Sequence, residues 1–326
     1  MDPTLSEDAH FVLSVAWATP EAESLQYVGI ADGVGSWRGL GVDPREFPQR
    51  LMFWAQQYIL STAPSVSGSA VVDQPRPAPK PLEVLSAAWE MVMGEKAVGS
   101  STACIATLDY SLDQLTFSNI GDNGVVVLRH IDSDIAGYMR ERRTPRHLRT
   151  SDLRIAFISQ QQLRSFNLPY QLGYTNVPAG GTFETPRDAV NTSFPIMPGD
   201  IVILATDGLY DNMELDEMCD IAQEWETKWF GGAMRGLDKQ DNAAAADLAA
   251  RLAQRARELS LDTSRDSPFA LLAKENDIMW GGGMPDDVTV VVMRIVNKLS
   301  SKFQFAQDIP PPVGRALGPL PGQNSI

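Results

Sequence analysis

Apolar residues follow two patterns along this chain, short runs typical of strands and positions at helical spacing. The clearest run, Ile201-Val202-Ile203-Leu204-Ala205, is rich in β-branched residues, follows the turn Pro198-Gly199-Asp200 and ends at Asp207-Gly208. This pattern predicts a buried strand that ends at a carboxylate. Similar runs predict further strands at about residues 11–17, 27–31, 102–108, 114–119, 124–129, 155–158 and 288–293.

Helical spacing of apolar residues predicts the helices. Asp43-Pro44 indicates a helix start, with Asp43 as N-cap and Pro44 at the first helical position, and the apolar positions from Leu51 to Ile59 form its core face. Residues 64–81 are rich in proline, and residues 300–326 in proline and glycine, so we expect a solvated loop and a disordered tail. Further helices are predicted at about residues 82–98, 214–226 and 243–259, and from Ser267-Pro268 onward.

Acidic residues stand at the ends of four predicted strands. Asp32-Gly33 and Asp207-Gly208 each follow an apolar run, and Asp122 and Asp286-Asp287 lie beside two more. Glycine after an aspartate lets the backbone turn sharply and approach a ligand, so that a carbonyl can join the carboxylate in holding a cation. Hard divalent cations such as Mg²⁺ and Mn²⁺ prefer oxygen ligands in fixed geometry. The pattern therefore predicts an oxygen-ligated metal site.

Two local signals have more than one interpretation. Gly121-Asp122-Asn123-Gly124 is a hairpin signal, because Asn-Gly accepts the positive φ angles of a tight turn, and the alternative to a metal-binding role for Asp122 is that the segment is only a turn. The arginine-rich residues 129–154 would attract a phosphorylated or acidic partner, or they form a solvated loop, and we favour the loop.

Composition excludes several classes of function. The 326 residues are 44% hydrophobic and 21% charged, which is ordinary for a globular protein, and no apolar stretch is long enough for a membrane helix. The net charge of -14 argues against sequence-independent binding to nucleic acid. Cys104 and Cys219 form no C-x-x-C pair, so we expect reduced core thiols, and the three histidines form no zinc motif. The sequence contains neither a nucleophile elbow nor a P-loop, which leaves oxygen-ligated metals.

Several short motifs follow one another in an order that is far more specific than any single Asp-Gly pair. They are Glu7-Asp8-Ala9-His10, Ala31-Asp32-Gly33-Val34-Gly35, Gly99-Ser100-Ser101-Thr102-Ala103, Asn119-Ile120-Gly121-Asp122, Thr206-Asp207-Gly208-Leu209-Tyr210-Asp211 and Asp286-Asp287-Val288-Thr289-Val290. Over about residues 7–296 this order resembles the metal-dependent protein phosphatase 2C (PPM) family. Gly35-Ser36-Trp37, Gly41-Val42-Asp43-Pro44 and Tyr170-Gln171-Leu172-Gly173 resemble its mitochondrial branch, the T-cell-activation-related protein phosphatase homologues.

The resemblance implies an α+β fold, a four-layer αββα sandwich of two antiparallel sheets flanked by helices. It implies one catalytic domain at residues 1–299, with inserted loops at about residues 64–81 and 130–154. It also implies a site at one end of the sandwich for two Mn²⁺ or Mg²⁺ ions, with an additional position for a third.

The resemblance also implies a role for each acid. Asp32 would bridge the two ions, Asp207 and Asp286 would complete one of them, and Glu7 with the Gly33 carbonyl would hold the other. We therefore predict Asp32, Asp207 and Asp286 as the catalytic residues.

Four further acids belong to the implied site. Asp122 matches the additional metal position, while Asp8, Asp211 and Asp287 would surround the ligands or substitute for them. Two cations about 3.5–4 Å apart lower the pKa of a bridging water, so that hydroxide is available near neutral pH to attack phosphorus in line. Because crowded acids repel unless cations are bound, chelation should abolish activity.

The sequence departs from the family pattern in two places. Val34 stands where members of the family often have a histidine that protonates the leaving alkoxide, so that proton must come from a metal-bound water or another group. Pro3 stands where a phosphate-binding arginine usually precedes the acidic pair. Because the chain begins so close to Glu7, we also expect a first edge strand to be missing.

Two hypotheses follow. The leading one is a Mn²⁺- or Mg²⁺-dependent serine/threonine protein phosphatase, a hydrolase that acts on phosphoprotein substrates. The alternative is a catalytically weak binding or scaffold protein with the phosphatase fold. We expect a monomer without a nucleic-acid partner or a membrane span. The resemblance implies mitochondria as its location, and otherwise we expect the cytoplasm, because no leader is visible before residue 10.

Overall fold

Antiparallel strands in two sheets form the centre of the molecule. The computed structural model describes residues 6–17, 24–63, 77–132, 151–176, 182–238 and 240–297. Its strands are β1 (Ala9–Ala16), β2 (Ser24–Ala31), β3 (Gly99–Ser101), β4 (Ala103–Asp109), β5 (Gln114–Ile120), β6 (Gly124–Asp132), β7 (Ser151–Ile158), β8 (Leu163–Ser165), β9 (Leu168–Pro169), β10 (Leu172–Tyr174), β11 (Val190–Pro195), β12 (Ile201–Ala205) and β13 (Val290–Arg294). The first sheet has the order β1-β2-β4-β5-β11 and the second the order β13-β12-β6-β7, while β10-β3 and β8-β9 form small ribbons.

Helices cover the outer face of each sheet. They are α1 (Glu46–Thr62), α2 (Pro81–Glu95), α3 (Asp207–Tyr210), α4 (Leu215–Phe230), α5 (Asn242–Ser260) and α6 (Pro268–Glu275), with 3₁₀ turns at Gly35–Leu40 and Pro186–Asp188. Apolar residues of α1 and α2 share one core with β1 and β2, and those of α4 and α5 share a second core with β12. A third core lies between the sheets. The layers are therefore helix, sheet, sheet and helix, which confirms the predicted αββα sandwich.

Both faces of β12 are buried, which explains its continuous apolar sequence. Val202 and Leu204 belong to the core between the sheets, whereas Ile201, Ile203 and Ala205 belong to the core shared with α4 and α5. Complete burial of a valine, leucine or isoleucine side chain contributes about 1.5–3 kcal/mol to the free energy of unfolding. The strand is therefore a rigid support for whatever follows it in the chain.

The hairpin interpretation of Gly121-Asp122-Asn123-Gly124 is wrong. β5 ends in the first sheet and β6 begins in the second, so this turn joins the two sheets. Gly121 has a φ of 98°. Asn119 Nδ2 donates to the carbonyl oxygens of Gly121 (3.3 Å) and Asn123 (3.0 Å). The positive φ lies at Gly121 and not at Asn123 or Gly124, so the Asn-Gly pair does not form the predicted tight turn.

Two predicted helix boundaries are also corrected. Asp43 is not the N-cap of α1, which begins at Glu46 with Arg45 as N-cap. The Asp43 carboxylate instead accepts from the backbone N–H of Arg45 (3.1 Å) and from its guanidinium (2.6 Å). The helix predicted at 82–98 ends at Glu95, because Lys96 adopts a left-handed φ of 56°.

Some predictions fall outside the described residues. These are most of the loop at 64–81, residues 133–150 of the arginine-rich segment, and the tail at 300–326. The domain limits 1–299 therefore stay a prediction. The loop prediction is wrong for the ends of the arginine-rich segment, because residues 129–132 belong to β6 and residues 151–154 to β7. Both cysteines are described, buried and free, as expected. Among the described helices, none has the length and apolar character that crossing a membrane requires.

Candidate metal centre

The pairing of β1 with β2 brings the first acids together. The two strands are antiparallel, and Ala9, the first residue of β1, lies opposite Ala31, the last residue of β2. Glu7 and Asp8 precede β1, and Asp32 follows β2. All three acids therefore lie at the same end of the first sheet.

The pairing of β12 places the remaining acids at one end of the second sheet. Ala205, the last residue of β12, lies opposite the first residues of both β6 and β13. Asp207 follows β12, Asp122 lies just before β6, and Asp286 lies a few residues before β13. The antiparallel registers therefore place these carboxyl groups at one end, although they are far apart in sequence.

Electrostatic interactions show that the two sets of acids form one cluster, the acidic centre. Its members are all the acids predicted from the sequence, namely Glu7, Asp8, Asp32, Asp122, Asp207, Asp211, Asp286 and Asp287. The charge of Asp207 on the second sheet raises the pKa of Asp32 on the first, after the larger effect of burial. The charge of Asp8 likewise raises the pKa of Asp207. The structure therefore brings together every acid that the sequence singled out.

Burial and repulsion raise the pKa of these carboxyl groups. The pKa of Asp211 is raised to about 8, first by burial and then by the charges of neighbouring acids. Burial is also the largest cause that raises the pKa of Asp8 and of Asp122 to about 6. The pKa values of Asp32 and Asp207 lie well above the ordinary range for the same two reasons. Negative charge is therefore costly in this centre as it stands.

Hydrogen bonds hold two of the acids in place. Thr206 Oγ1 donates to Asp8 Oδ2 (3.0 Å), and it accepts from the backbone N–H of Thr289 (3.0 Å). The backbone N–H of Glu7 donates to Asp287 Oδ2 (2.7 Å). These bonds link the N-terminal acids on the first sheet to the ends of β12 and β13 on the second.

Two glycines are required where the backbone packs closely around the acids. A Cβ atom on Gly33 would lie 2.4 Å from the carbonyl oxygen of Pro44 and 2.8 Å from that of Glu7. A Cβ atom on Gly208 would lie 2.0 Å from the carbonyl oxygen of Asp287. The glycine of each Asp-Gly pair therefore permits close packing of the backbone, and the approach to a ligand stays a prediction.

Thr102 connects the two turns that carry Asp32 and Asp122, and sequence analysis did not assign it a role. Thr102 Oγ1 accepts from the backbone N–H of Asp32 (3.3 Å) and from Asn123 Nδ2 (2.8 Å). The backbone N–H of Thr102 donates to the carbonyl oxygen of Asp32 (3.0 Å). Its place in the motif Gly99-Ser100-Ser101-Thr102 was the available signal.

The donor set of the acidic centre fits a divalent cation. Among the described residues, no three histidine, cysteine or acidic side chains are grouped closely enough to hold a metal ion as placed. However, Asp122 Oδ1 and Asp207 Oδ1 are buried without a hydrogen-bond partner, and every donor is an oxygen. A cation would offset the repulsion among these carboxylates and supply the missing partners. The oxygen donors of the centre therefore suit a divalent cation.

Arg38 is the other residue that sequence analysis missed. Its guanidinium forms an ion pair with the carboxylate of Glu7. Its positive charge also lowers the pKa of Asp286 and of Asp287, which burial otherwise raises. An arginine in a glycine-rich segment without periodicity gives no signal of this position in the sequence. Val34, in place of the family's histidine, donates its backbone N–H to the Ser100 carbonyl oxygen (3.2 Å).

Comparisons with known proteins agree with this fold and site. No protein-family model matches the chain. It is 34% identical over 298 residues to the protein phosphatase PTC7 homolog fig of Drosophila simulans, covering 89% of this chain and 77% of that protein. The homologous protein of Drosophila mojavensis is 34% identical over 299 residues, covering 90% and 79%. The X-ray structure of the photosystem II phosphatase PBCP has a TM-score of 0.60 at 23% identity, covering 89% and 91%, which supports the fold alone.

An αββα sandwich with acids at one end of both sheets defines the protein phosphatase 2C (PPM) class. The identity and coverage of its relatives make the assignment more specific. The chain belongs to the family of PTC7-homologue protein phosphatases, and it is an enzyme of that class. The resemblance seen in the sequence is thereby confirmed.

Proposed function

We propose that this chain hydrolyses phosphoserine and phosphothreonine in proteins, with divalent cations held by the acidic centre. The observation that carries the proposal is the set of buried carboxylate oxygens without partners at the ends of two sheets. Hydrolysis forms a bond between a water oxygen and phosphorus and breaks the bond between phosphorus and the side-chain oxygen. Its products are inorganic phosphate and a free serine or threonine.

The proposed ligands of the cations are Asp32, Asp207, Asp286, Glu7 and the carbonyl of Gly33. Asp122 would provide an additional position. When bound, Mn²⁺ or Mg²⁺ supplies an activated water and neutralises the charge of the phosphoryl oxygens. The finer identity of the ions rests on the oxygen donor set, which suits hard cations of this kind.

The remaining residues of the centre position these ligands. The Thr206 hydroxyl orients Asp8, and Asp8 in turn forms a hydrogen bond with the carboxyl group of Asp32. Thr102 holds the backbone of Asp32 through two hydrogen bonds, one from the Asp32 N–H and one to the Asp32 carbonyl oxygen. Asp211 contributes further negative charge beside Asp207. These contacts orient a crowded set of acids that would otherwise separate.

A catalytically weak scaffold protein is the second candidate. Val34 favours it, because an aliphatic side chain cannot donate a proton where the family often has a histidine. Retention of every acid in the centre favours the enzyme, since a scaffold has no need for carboxylates whose burial destabilises the fold.

Three finer points belong to the same proposal. The substrates are phosphoproteins, as expected for a family of protein phosphatases. The chain acts as a monomer. It acts in mitochondria, and this location rests on the resemblance to the mitochondrial branch. The net charge of -14 is consistent with the absence of a nucleic-acid partner.

The test is phosphate release from a phosphothreonine peptide with Mn²⁺, with Mg²⁺ and with excess chelator. We expect release with at least one cation and a loss of at least about a hundredfold with chelator, because bound cations contribute several kcal/mol to stabilising the transition state. Restoring the cation should restore the rate. Release that persists in chelator would refute the metal assignment, and no release under any condition would favour the scaffold.

A further inference from the structure

Arg38 occupies an unusual place at the edge of the acidic centre. It lies in the 3₁₀ turn Gly35–Leu40, directly after the strand end that carries Asp32. Its side chain is 52% exposed, whereas that of its ion-pair partner Glu7 is 9% exposed. The guanidinium therefore contacts a buried acid of the centre while much of the side chain remains in solvent. The positive charge of Arg38 is therefore accessible to an anion from solvent.

The backbone of Arg38 is anchored on both sides. The side chain of Trp37 is buried, and its Nε1 donates to Ser100 Oγ (2.6 Å), which donates to Gln171 Oε1 (2.5 Å). Gly41 has a φ of 75° and donates its backbone N–H to the carbonyl oxygen of Arg38 (3.0 Å). The turn is therefore fixed, and only the side chain of Arg38 is free to change its partner.

Other arginines are engaged away from the acidic centre. Arg45 pairs with Asp43, Arg50 pairs with Glu46 and Glu95, and Arg129 pairs with Asp200. Among the ion pairs of the described residues, that of Arg38 is the one that involves an acid of the centre. Arg38 is therefore placed to interact with an anion there, and Arg257, whose charge also lowers the pKa of Asp287, is a second guanidinium near the centre.

We propose that Arg38 binds the phosphate group of the substrate, and that its ion pair with Glu7 keeps it at the centre until the phosphate arrives. The inference rests on the proposed function. A phosphate carries up to two negative charges into a region that is already acidic, so a fixed cation at its edge lowers the cost of binding. A guanidinium suits this role because its planar donors form paired hydrogen bonds with two phosphate oxygens.

Glu7 explains how the same guanidinium serves in two states. Glu7 is a proposed metal ligand, and its carboxylate cannot turn fully toward a cation and keep Arg38 as its partner. Metal binding would therefore release the Arg38 donors close to where the phosphate binds. Gly35 lets the Glu7 carboxylate lie close to the backbone of this turn, because a Cβ atom there would lie 3.0 Å from Glu7 Oε2.

The experiment compares Arg38→Gln, Arg38→Lys and wild type in Mn²⁺. Arg50→Gln is the matched control, because it removes an arginine whose ion pairs lie away from the acidic centre. Calorimetric titration with inorganic phosphate measures binding without catalysis, and titration with Mn²⁺ measures metal affinity. The KM and kcat for a phosphothreonine peptide, together with the melting temperature, complete the set.

We expect Arg38→Gln to weaken phosphate binding by about ten- to a hundredfold, which is the usual effect of losing hydrogen bonds to a charged group. KM should rise in parallel, Arg38→Lys should be intermediate, and Arg50→Gln should match wild type. Mn²⁺ affinity should stay the same or increase, since Glu7 loses a competing partner.

Three results would overturn the inference. The first is an unchanged phosphate affinity in Arg38→Gln, and the second is a wild type that binds no phosphate. The third is a fall in the Mn²⁺ affinity of Arg38→Gln that parallels the fall in its phosphate affinity, which would show that Arg38 only positions Glu7. If wild type hydrolyses the peptide and Arg38→Gln binds phosphate normally, the inference fails and the proposed function stands. If Arg38 governs phosphate binding but wild type releases none from the peptide, the proposed function fails and the inference stands.

Discussion

The two ends of β12 carry aspartates in opposite environments. Asp200, before the strand, is 0% exposed, and its carboxylate accepts from Arg129 Nε (2.8 Å) and Nη2 (2.7 Å) and from the backbone N–H of Met197 (2.9 Å). Asp207, after the strand, has a buried Oδ1 without a hydrogen-bond partner, and the charges of other acids act on it. The charge of Asp200 before the strand is therefore balanced by partners within the chain, whereas that of Asp207 after the strand is not.

The difference indicates which buried charge is structural and which is functional. The end of the second sheet that carries Asp200 also holds Glu226, which pairs with His130 (2.6 Å) and Arg294 (3.3 Å). Buried acids there have partners within the chain, so their burial costs little and fixes the local packing. At the other end, Asp122 Oδ1 and Asp207 Oδ1 have no hydrogen-bond partner. Burial of these carboxyl groups raises the free energy of the folded state. Carboxylates whose burial destabilises the chain are expected at functional sites, where a bound ligand offsets that cost.

Asp207→Asn is the substitution with the largest expected effect. Loss of a cation ligand should lower metal-stimulated phosphate release by about a thousandfold, because a bound cation contributes several kcal/mol and each 1.4 kcal/mol or so corresponds to a factor of ten. Without metal, the variant should melt at or above the wild-type temperature, since a repelled carboxylate has been removed. Rate assays and thermal melting of the same samples check both statements. A variant with normal rates would exclude Asp207 as a ligand.

Asp200→Asn is the converse substitution at the other end of the same strand. It leaves the guanidinium of Arg129, which is 21% exposed, without its anionic partner. We expect the free energy of unfolding to fall by about 2–3 kcal/mol, which is at the low end for breaking a buried pair because Arg129 keeps some access to water. The rate per folded molecule should be unchanged at low temperature. Chemical denaturation measures the first quantity, and a hundredfold loss of rate would contradict the separation of roles.

Local patterns in the sequence predicted the strands and the acids at their ends, whereas the family resemblance implied the fold. The apolar run of β12 indicated a strand that is buried on both faces. Asp32-Gly33 and Asp207-Gly208 indicated strand ends, where the backbone packs closely. Each acid could therefore be recognised individually. Their convergence depends on the antiparallel register, such as Ala9 opposite Ala31, which the resemblance supplied and the local pattern did not.

The errors arise where partners are distant in sequence. A turn between β5 and β6 was predicted, but the sheet that β6 joins depends on packing with β12 and β7. Asp43 is an exception, because its partner is local: its neighbours fit an N-cap, but its carboxylate binds the side chain of Arg45. Arg38 was missed because its meaning comes only from its contact with Glu7, which lies thirty-one positions earlier in the sequence (38 − 7 = 31).

The smallest expected effect is the pH dependence of stability without metal. The pKa of Asp211 is raised to about 8, and those of Asp8 and Asp122 to about 6, whereas an unfolded aspartate has a pKa of about 4. Between these limits the folded protein binds more protons than the unfolded chain, so its stability falls as pH rises. In chelator we expect the melting temperature to fall by about 3 °C from pH 7 to pH 8, which corresponds to roughly 1 kcal/mol for a domain of this size, contributed mostly by Asp211. Saturating Mn²⁺ should remove or reverse the trend, because cations bind carboxylates that have lost their protons. Asp200→Asn should keep the wild-type slope and Asp211→Asn should flatten it, because Asp211 has the pKa raised to about 8, whereas equal slopes in all three proteins would show that the acidic centre does not set the pH dependence.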